Sequence, residues 1–514
     1  MVLRLTYTSG GIDPATHAEF ERCLAEARQD TPAPWPHLID GVPRHEGSVF
    51  ERADPSRIDR VASRAHAADP EVVAQAVEAA HAARAGWRRT PYAERIALLR
   101  RVAEEIASRS VEIAAVMSLE TGKSRVEALS EAQEAVELIA TYSRELERNG
   151  GFVAMPLQGV SPEERCSETL KPYGVFGVIS PFNFPFALTL GMSVAALLAG
   201  NCVVVKPSEE APWTAALFAE AMLAAELPAG VFNLLHGGPD TGRALAESTV
   251  DGIAFTGSAE VGRAITTRLT EGRYARPALT EMSGKNPTLV TASADLERAA
   301  EGIGRAAFGL SGQKCSACSR AIVHEAVHDE LVQQICAFSE TLKLGDPAER
   351  DSFLGPVINE YAQFRFRESV TQAERDGRIA CGGDVGSESG WFVQPTVVAE
   401  LPRGHELLRR ELFLPFLAVT RVRDLDEALA EANATDYGLT AGIFSADQRE
   451  IDRFLDEIEA GVVYVNRAAG STTGAWPGAQ SFCGWKSSGS TGKGGMGPYY
   501  LQQFMREQSH TVVG

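Results

Sequence analysis

The spacing of apolar residues changes along the chain, and those changes divide it. Over 69–149, Ala, Leu, Val and Ile recur every three or four residues among Glu and Arg, which predicts amphipathic helices whose charge runs are solvated faces. From 174 to about 309 the period shortens. Apolar runs at 174–180, 201–206, 230–236, 251–257 and 287–290 alternate with helical segments, among them 187–198 and 214–225. Such alternation builds βαβ units and a parallel sheet covered on both faces, so the fold class is α/β and a doubly wound nucleotide domain is expected. It resumes over 325 to about 465 as a second α/β unit. At the ends, 15–28 is amphipathic, the Pro-rich 31–36 is a break, and 1–60 reads as an N-terminal arm laid over the body. The stretch 484–498 is rich in Gly, Ser and Lys, and 499–513 suits a final helix and strand; no internal repeat is visible.

With 514 residues the chain can build two or three cores, and 44% hydrophobic with 23% charged residues is ordinary for a globular protein. The formal net charge of −19 would repel nucleic acid and anionic membranes, so a small-molecule partner fits better. No charged residue lies between Lys171 and Lys206, a span long enough to cross a bilayer. Pro181, Asn183 and Pro185 break it near its start, and the remainder reads as a buried helix followed by a buried strand. Residues 1–11 lack an apolar core of signal-peptide length, and eight scattered cysteines make no disulfide framework, which predicts a cytoplasmic setting.

The chemistry centres on Gly312-Gln313-Lys314-Cys315-Ser316-Ala317-Cys318-Ser319-Arg320, a thiol in a loop between an apolar segment and a strand-like run. The C-x-x-C has three readings. A zinc site needs a second ligand pair, and the other cysteines are dispersed; a thioredoxin-like pair belongs near the start of a small domain; the third reading is a single nucleophile, Cys315, with Cys318 a bystander. Separately, Phe255-Thr256-Gly257-Ser258 follows one strand and opens a helix, where backbone N–H groups and a serine hydroxyl suit a pyrophosphate. No G-x-G-x-x-G occurs, and Gly237-Gly238 with Gly242 lacks the Lys-Ser/Thr of a P-loop.

The cysteine loop, Ser180-Pro181-Phe182-Asn183-Phe184-Pro185-Phe186, Lys206-Pro207-Ser208-Glu209, the run 255–262 and Thr280-Glu281-Met282-Ser283-Gly284-Lys285-Asn286-Pro287 stand in the order and spacing of the NAD(P)-dependent aldehyde dehydrogenase superfamily. The chain resembles that superfamily from about residue 40 to its end. The resemblance implies two doubly wound parallel-sheet domains and a β-arm that joins subunits into a homo-oligomer, a dimer or higher. It divides the chain into an N-terminal arm and helical part (1–149), the first part of the arm (150–170), an NAD-binding domain (171–283), a catalytic domain (284–484) and the rest of the arm (485–514).

It also implies NAD as cofactor and no metal. Lys206 would approach the adenosine ribose, and Glu209 would accept from its hydroxyls, repelling a 2′-phosphate and so favouring NAD over NADP. Ser180, Pro181, Phe182, Ser208, Gly238, Gly242, Phe255, Thr256, Gly257, Ser258, Met282 and Phe413 would line the cofactor, and Glu411 would hold the nicotinamide ribose. Cys315 would attack the aldehyde, Asn183 and the Cys315 N–H would hold the oxyanion, and Glu281 would activate the hydrolytic water. Two positions depart from the family, which commonly has glycine where this chain has Ser283 and Leu414.

Lys314-Cys315-Ser316-Ala317, Asn466-Arg467, Thr473-Gly474-Ala475 and the ending around Tyr499-Tyr500-Leu501-Gln502-Gln503-Phe504 resemble the superfamily's group that oxidises L-glutamate γ-semialdehyde to L-glutamate in proline catabolism. There Ser316 and the backbone amides of Gly474 and Ala475 would hold the α-carboxylate, with Phe184 and Phe482 flanking the chain. Ser481 and Cys483 replace that group's proline and glycine, so another semialdehyde is an alternative substrate; a thiol redox or structural binding protein is the alternative of another class. The nucleophile reading predicts that Cys315→Ala abolishes NADH formation from an aldehyde while Cys318→Ala leaves most of it, whereas a redox pair would lose both.

Overall fold

In the computed structural model, residues 6–7, 11–29, 33–468 and 475–513 are described. Apolar runs too continuous to leave one face in water become central strands. Val175–Ile179, Cys202–Lys206, Phe232–Leu234 and Gly252–Thr256 are buried throughout. With Ala278–Glu281 they form the parallel part of a seven-stranded sheet, ordered 278–281, 252–256, 175–179, 202–206, 232–234. The sheet continues antiparallel into His37–Ile39 and Val42–Arg44, Leu38 pairing with Leu234. Part of the stretch expected as an arm over the body is therefore sheet: His37–Ile39 is wholly buried and covers an open strand edge.

The helical period of 69–149 resolves into Pro70–Arg89, Tyr92–Ser108, Ser110–Thr121 and Arg125–Arg148. Asp69 caps the first, accepting from the N–H groups of Glu71 and Val72. The uncharged stretch becomes helix Ala187–Leu198, buried at nearly every position. Among the described residues no helix is long and apolar enough to cross a membrane.

The second sheet also has seven strands: Arg378–Cys381, antiparallel at one edge, then Thr396–Ala399, Phe416–Val422, Cys318–His324, Asn286–Val290, Thr440–Phe444 and Val462–Val465, all parallel. The run 287–290, continuous in pattern with the strands before it, thus pairs in this sheet and not in the first. A third, three-stranded sheet stands apart, with Glu164–Pro172 between Met155–Gln158 and Met505–Val513. Ahead of Met505 the expected helix is only the 3-10 turn Leu501–Phe504.

One buried ion pair ties the helical layer to the loop after Val175–Ile179. Lys123 and Glu131, both with fully buried side chains, pair with each other. Glu131 Oε1 also accepts the N–H groups of Phe186 (2.9 Å) and Ala187 (3.0 Å), and Lys123 Nζ lies 4.3 Å from the centre of the Phe184 ring. Glu131→Ala would strand a buried ammonium and two N–H groups, for an expected loss of about 3–5 kcal/mol. Urea unfolding followed by tryptophan fluorescence should show it, with Glu131→Gln, which keeps an acceptor, recovering part of the loss.

Candidate active site

Strand Val175–Ile179 has its successor Cys202–Lys206 on one side and Gly252–Thr256 on the other. Connections therefore leave in opposite directions at its C-terminal end, which opens a crevice between Ser180–Asn183 and Thr256–Ser258. Only residues 282–285 separate Ala278–Glu281, the last strand of the first sheet, from Asn286–Val290 in the second. The C-terminal edge of one sheet is thereby brought against the N-terminal edge of the other. Cys315 precedes strand Cys318–His324 at that same edge, where Asn286 registers with Cys318.

The cysteine loop is held on every side. Leu310, Ser311 and Gly312 are consecutively left-handed, with φ of 50°, 52° and 69°. This turn is unfavourable for two of the three and persists because its surroundings impose it. A Cβ on Gly312 would stand 2.1 Å from the Leu414 carbonyl oxygen, so that position has room only for glycine. Ser311 Oγ donates to Gly355 O (2.6 Å), Gln313 Oε1 accepts from Ile358 N–H (2.9 Å), and Lys314 Nζ pairs with Glu127 Oε1 at 2.8 Å. Asn286 is the clasp: its amide nitrogen donates to the carbonyls of Cys315 (2.7 Å) and Ala317 (2.9 Å), and its oxygen accepts from Thr440 N–H (3.0 Å). Cys318 is buried against Thr288 Oγ1 at 3.2 Å, in the core, so the two cysteines face different surroundings.

Burial pushes the Cys315 thiol up to about 12, and the charges of Glu411 and Glu281 push the same way against the pull of the Ser316 and Cys315 backbone N–H groups. Burial raises Glu281 to about 7, opposed by the Gly495 N–H that donates to its Oε1 at 2.9 Å. Glu411 is likewise raised by burial, opposed by the Ser283 hydroxyl and the Gly284 N–H at 2.9 Å. The hydroxyl at Ser283 is thus in use: it also accepts from Ala259 N–H (3.2 Å), linking the start of helix Ala259–Thr270 to Glu411. The other departure, Leu414, is buried beside Phe413, which is itself left-handed at φ 59°.

On the crevice side, buried Lys206 donates to Gly237 O (3.0 Å) and pairs with half-buried Glu209 at 3.4 Å. Burial lowers the Lys206 ammonium, and Glu209 opposes that. Ser208 Oγ accepts from Glu210 N–H (3.2 Å), and Ser258 Oγ caps its helix at Val261 N–H (3.3 Å). A Cβ on Gly238 would meet nothing within 4 Å, leaving open space at the start of helix Pro239–Glu247, and Gly242 faces the Lys206 stem. Phe255 and Met282 pack against Gly257 and Gly262, and Phe182 meets Phe413 edge-on at 5.8 Å across the mouth. An open edge with a paired carboxylate, helix starts and glycines suits a dinucleotide.

On the other side of Cys315 lies a cavity of about 70 Å³. Cys315, Ser316, Phe184, Ala475 and Phe482 line it together, and Asn183 is buried in the turn beside Phe184. Gly474 lies outside the described residues. Sequence reasoning missed Tyr7, Glu134, Leu188, Lys314 and Met496, which complete the lining. It also missed Asn286. A signal existed for Glu134: with Glu131 it sits on a stripe of Arg125–Arg148 otherwise made of Ala128, Ala132, Ala135, Leu138 and Ile139, where solvated charges are not expected.

A thiol set between a crevice that suits a dinucleotide and an aromatic-walled cavity, with a carboxyl poised near neutrality, is an arrangement that suits an oxidoreductase. The chain belongs to the aldehyde dehydrogenase family, whose model matches residues 42–510. It is 35% identical over 512 residues to a 1-pyrroline-5-carboxylate dehydrogenase of Geobacillus sp. strain WCH70, covering 97% of this chain and 96% of that one. A second, from Geobacillus thermodenitrificans, is 36% identical over 509 residues, covering 97% and 96%. Among solved structures, a 1-pyrroline-5-carboxylate dehydrogenase from Thermus with bound NAD superposes with a TM-score of 0.94 at 31% identity, over 99% of this chain and 98% of that one. Proline utilization A from Bdellovibrio bacteriovorus gives 0.93 at 33% over 98% of this chain, which spans about half (52%) of that larger protein.

A carboxyl at about 7 is testable without turnover. Infrared difference spectra across neutral pH should show loss of a protonated-carboxyl stretch as pH rises, and part of that change should vanish in Glu281→Gln. Glu134, also raised to about 7, and the other carboxyls raised by burial, Glu411 among them, contribute to the remainder.

Proposed function

We propose that this protein is a cytoplasmic enzyme that oxidises L-glutamate γ-semialdehyde to L-glutamate with NAD, through an acyl-thioester on Cys315. The observation that carries the proposal is the cavity at Cys315, apolar along Phe184 and Phe482 and polar at Ser316 and Glu134, in a chain related along its length to 1-pyrroline-5-carboxylate dehydrogenases. The Cys315 thiol gives its proton to the ionised form of Glu281, which passes it on to solvent, and Sγ attacks the aldehyde carbon; a C–S bond forms and the carbonyl electrons move to oxygen. The Asn183 amide and the Cys315 N–H donate to that oxyanion. Lys206, Glu209, Glu411 and the starts of helices Ala259–Thr270 and Pro239–Glu247 would hold NAD, which would supply the acceptor for the hydride that leaves the carbon. Glu281 then takes a proton from water as its oxygen attacks the thioester, the C–S bond breaks, and the product is a carboxylate. With Glu281 raised to about 7, both its forms are accessible near neutral pH, so it can take that proton and later release it.

Ser316 holds the α-carboxylate, beside the Gly474-Ala475 pair that the resemblance assigns to it and of which Gly474 lies outside the described residues, and Glu134 accepts from the α-ammonium. The departures at Ser481 and Cys483 leave this assignment standing, because Ser481 Oγ packs on Gly497 and Cys483 Sγ donates to Gly461 O at 3.4 Å, both outside the cavity lining. The exposed three-stranded sheet offers edges for a second copy, and we take the protein as a homo-oligomer. The experiment is NADH formation from L-glutamate γ-semialdehyde against an unsubstituted aldehyde of similar length. A substrate without the α-carboxylate forgoes its charge-assisted hydrogen bonds, each worth about 1.5–3 kcal/mol, so kcat/KM should fall at least about a hundredfold. Equal efficiency would remove the glutamate-semialdehyde assignment and leave the aldehyde oxidation.

A further inference from the structure

Tyr7 precedes the first helix, Pro14–Gln29, yet lies in the cavity, 127 positions in sequence from the carboxylate it touches. Its ring meets Phe184 edge-on at 6.1 Å and Trp476 at 6.0 Å, and its hydroxyl donates to Glu134 Oε2 at 2.5 Å. The charged and titratable groups facing this pair are Glu131, Glu127 and Lys123. Lys123 is committed to Glu131 in the buried pair described above, so it serves Glu134 only at a distance. Burial and Glu131 favour the neutral form of Glu134, while the Tyr7 hydrogen bond and the Lys123 charge favour the carboxylate. The phenol itself stays protonated, because burial and the three glutamates push it well above its ordinary value. Tyr7 is therefore a fixed donor aimed at the one carboxylate among the cavity's described lining residues.

We infer that Tyr7 is a specificity-determining positioning residue: by fixing Glu134 Oε2 in the cavity, it selects aldehydes that carry an amino group on their chain. This rests on the glutamate-semialdehyde reading and adds to it a residue from outside every recognised motif. The phenol acts through Glu134 and touches no reacting atom.

The test uses the full chain with Tyr7→Phe and NADH formation as readout. L-Glutamate γ-semialdehyde is compared with glutaric semialdehyde, which has the same length and carboxylate and lacks the amino group. Losing one hydrogen bond to a charged group should raise KM for the amino substrate by about tenfold, with kcat within about twofold and the glutaric KM little changed. Because the lost hydrogen bond favours ionised Glu134, the acid limb of kcat/KM for the amino substrate should move to higher pH, and the glutaric limb should stay. In a Glu134→Gln background Tyr7→Phe should add nothing to the selectivity. Equal KM changes for both substrates, an unmoved limb, or full additivity in the double variant would overturn the role. If the wild type does not distinguish the two aldehydes, the substrate reading itself falls and this inference with it; if it does and Tyr7→Phe does equally well, only the role of Tyr7 falls.

Discussion

Four residues, Met282 to Lys285, are all the chain between the last strand of one parallel sheet and the first-entered strand of the other, and the active site follows from that shortness. A link so brief cannot turn back around either sheet, so the C-terminal edge of the first must meet the N-terminal edge of the second. Glu281 ends one strand and Asn286 begins the next, which brings a carboxyl and the clasp of the cysteine loop to the same seam. The close approach has a cost in polar burial: Lys285 Nζ is buried with no hydrogen-bond partner among the described residues, and burial lowers it to about 7, so it need not carry its charge.

The seam also sets the electrostatics. Enclosure raises Cys315, Glu281 and Glu411 together, and each carboxylate makes the thiolate harder to form. Burial and the two carboxylates thus favour the thiol form of Cys315, while the nearby Glu281 carboxyl is raised to about 7. Stiffness comes from elsewhere. The left-handed turn before Cys315 is clamped by Gly355 and Ile358 from one segment, by Leu414 from another, and by Glu127 from the helical layer. The loop bearing Asn183 is tied to the same helix through Glu131.

Much of this was readable from local pattern. Strand runs such as Cys202–Lys206 and helices such as Ala187–Leu198 lie where the period of apolar residues puts them, because burying a two-sided strand or an all-apolar helix is a local property of composition. The prolines that broke the uncharged stretch do end it as a membrane candidate, and Cys315, Phe184, Ser316, Ala475 and Phe482 meet at one cavity. What pattern could not supply was partnership across distance. His37–Ile39 reads as arm or strand until an open edge at Phe232–Leu234 is there to receive it, and 287–290 looks like one more strand of the first sheet until its neighbours are known.

The same limit separates the two kinds of site residue. Loop chemistry at Cys315 and the strand-end carboxyl at Glu281 are written into short motifs, since backbone approach and turn geometry demand particular residues at particular spacings. Glu131 and Glu134 show only as charges on an otherwise apolar helix stripe, a sign of burial that names no partner, and Tyr7 stands in no motif. A glutamate on a helix is solvated unless another element covers it, and these two are covered by the turn after Val175–Ile179 and by a tyrosine 127 positions from Glu134. Their roles exist only in the folded chain, because burial, the force that makes a carboxylate strong or neutral, is a property of neighbours and not of sequence.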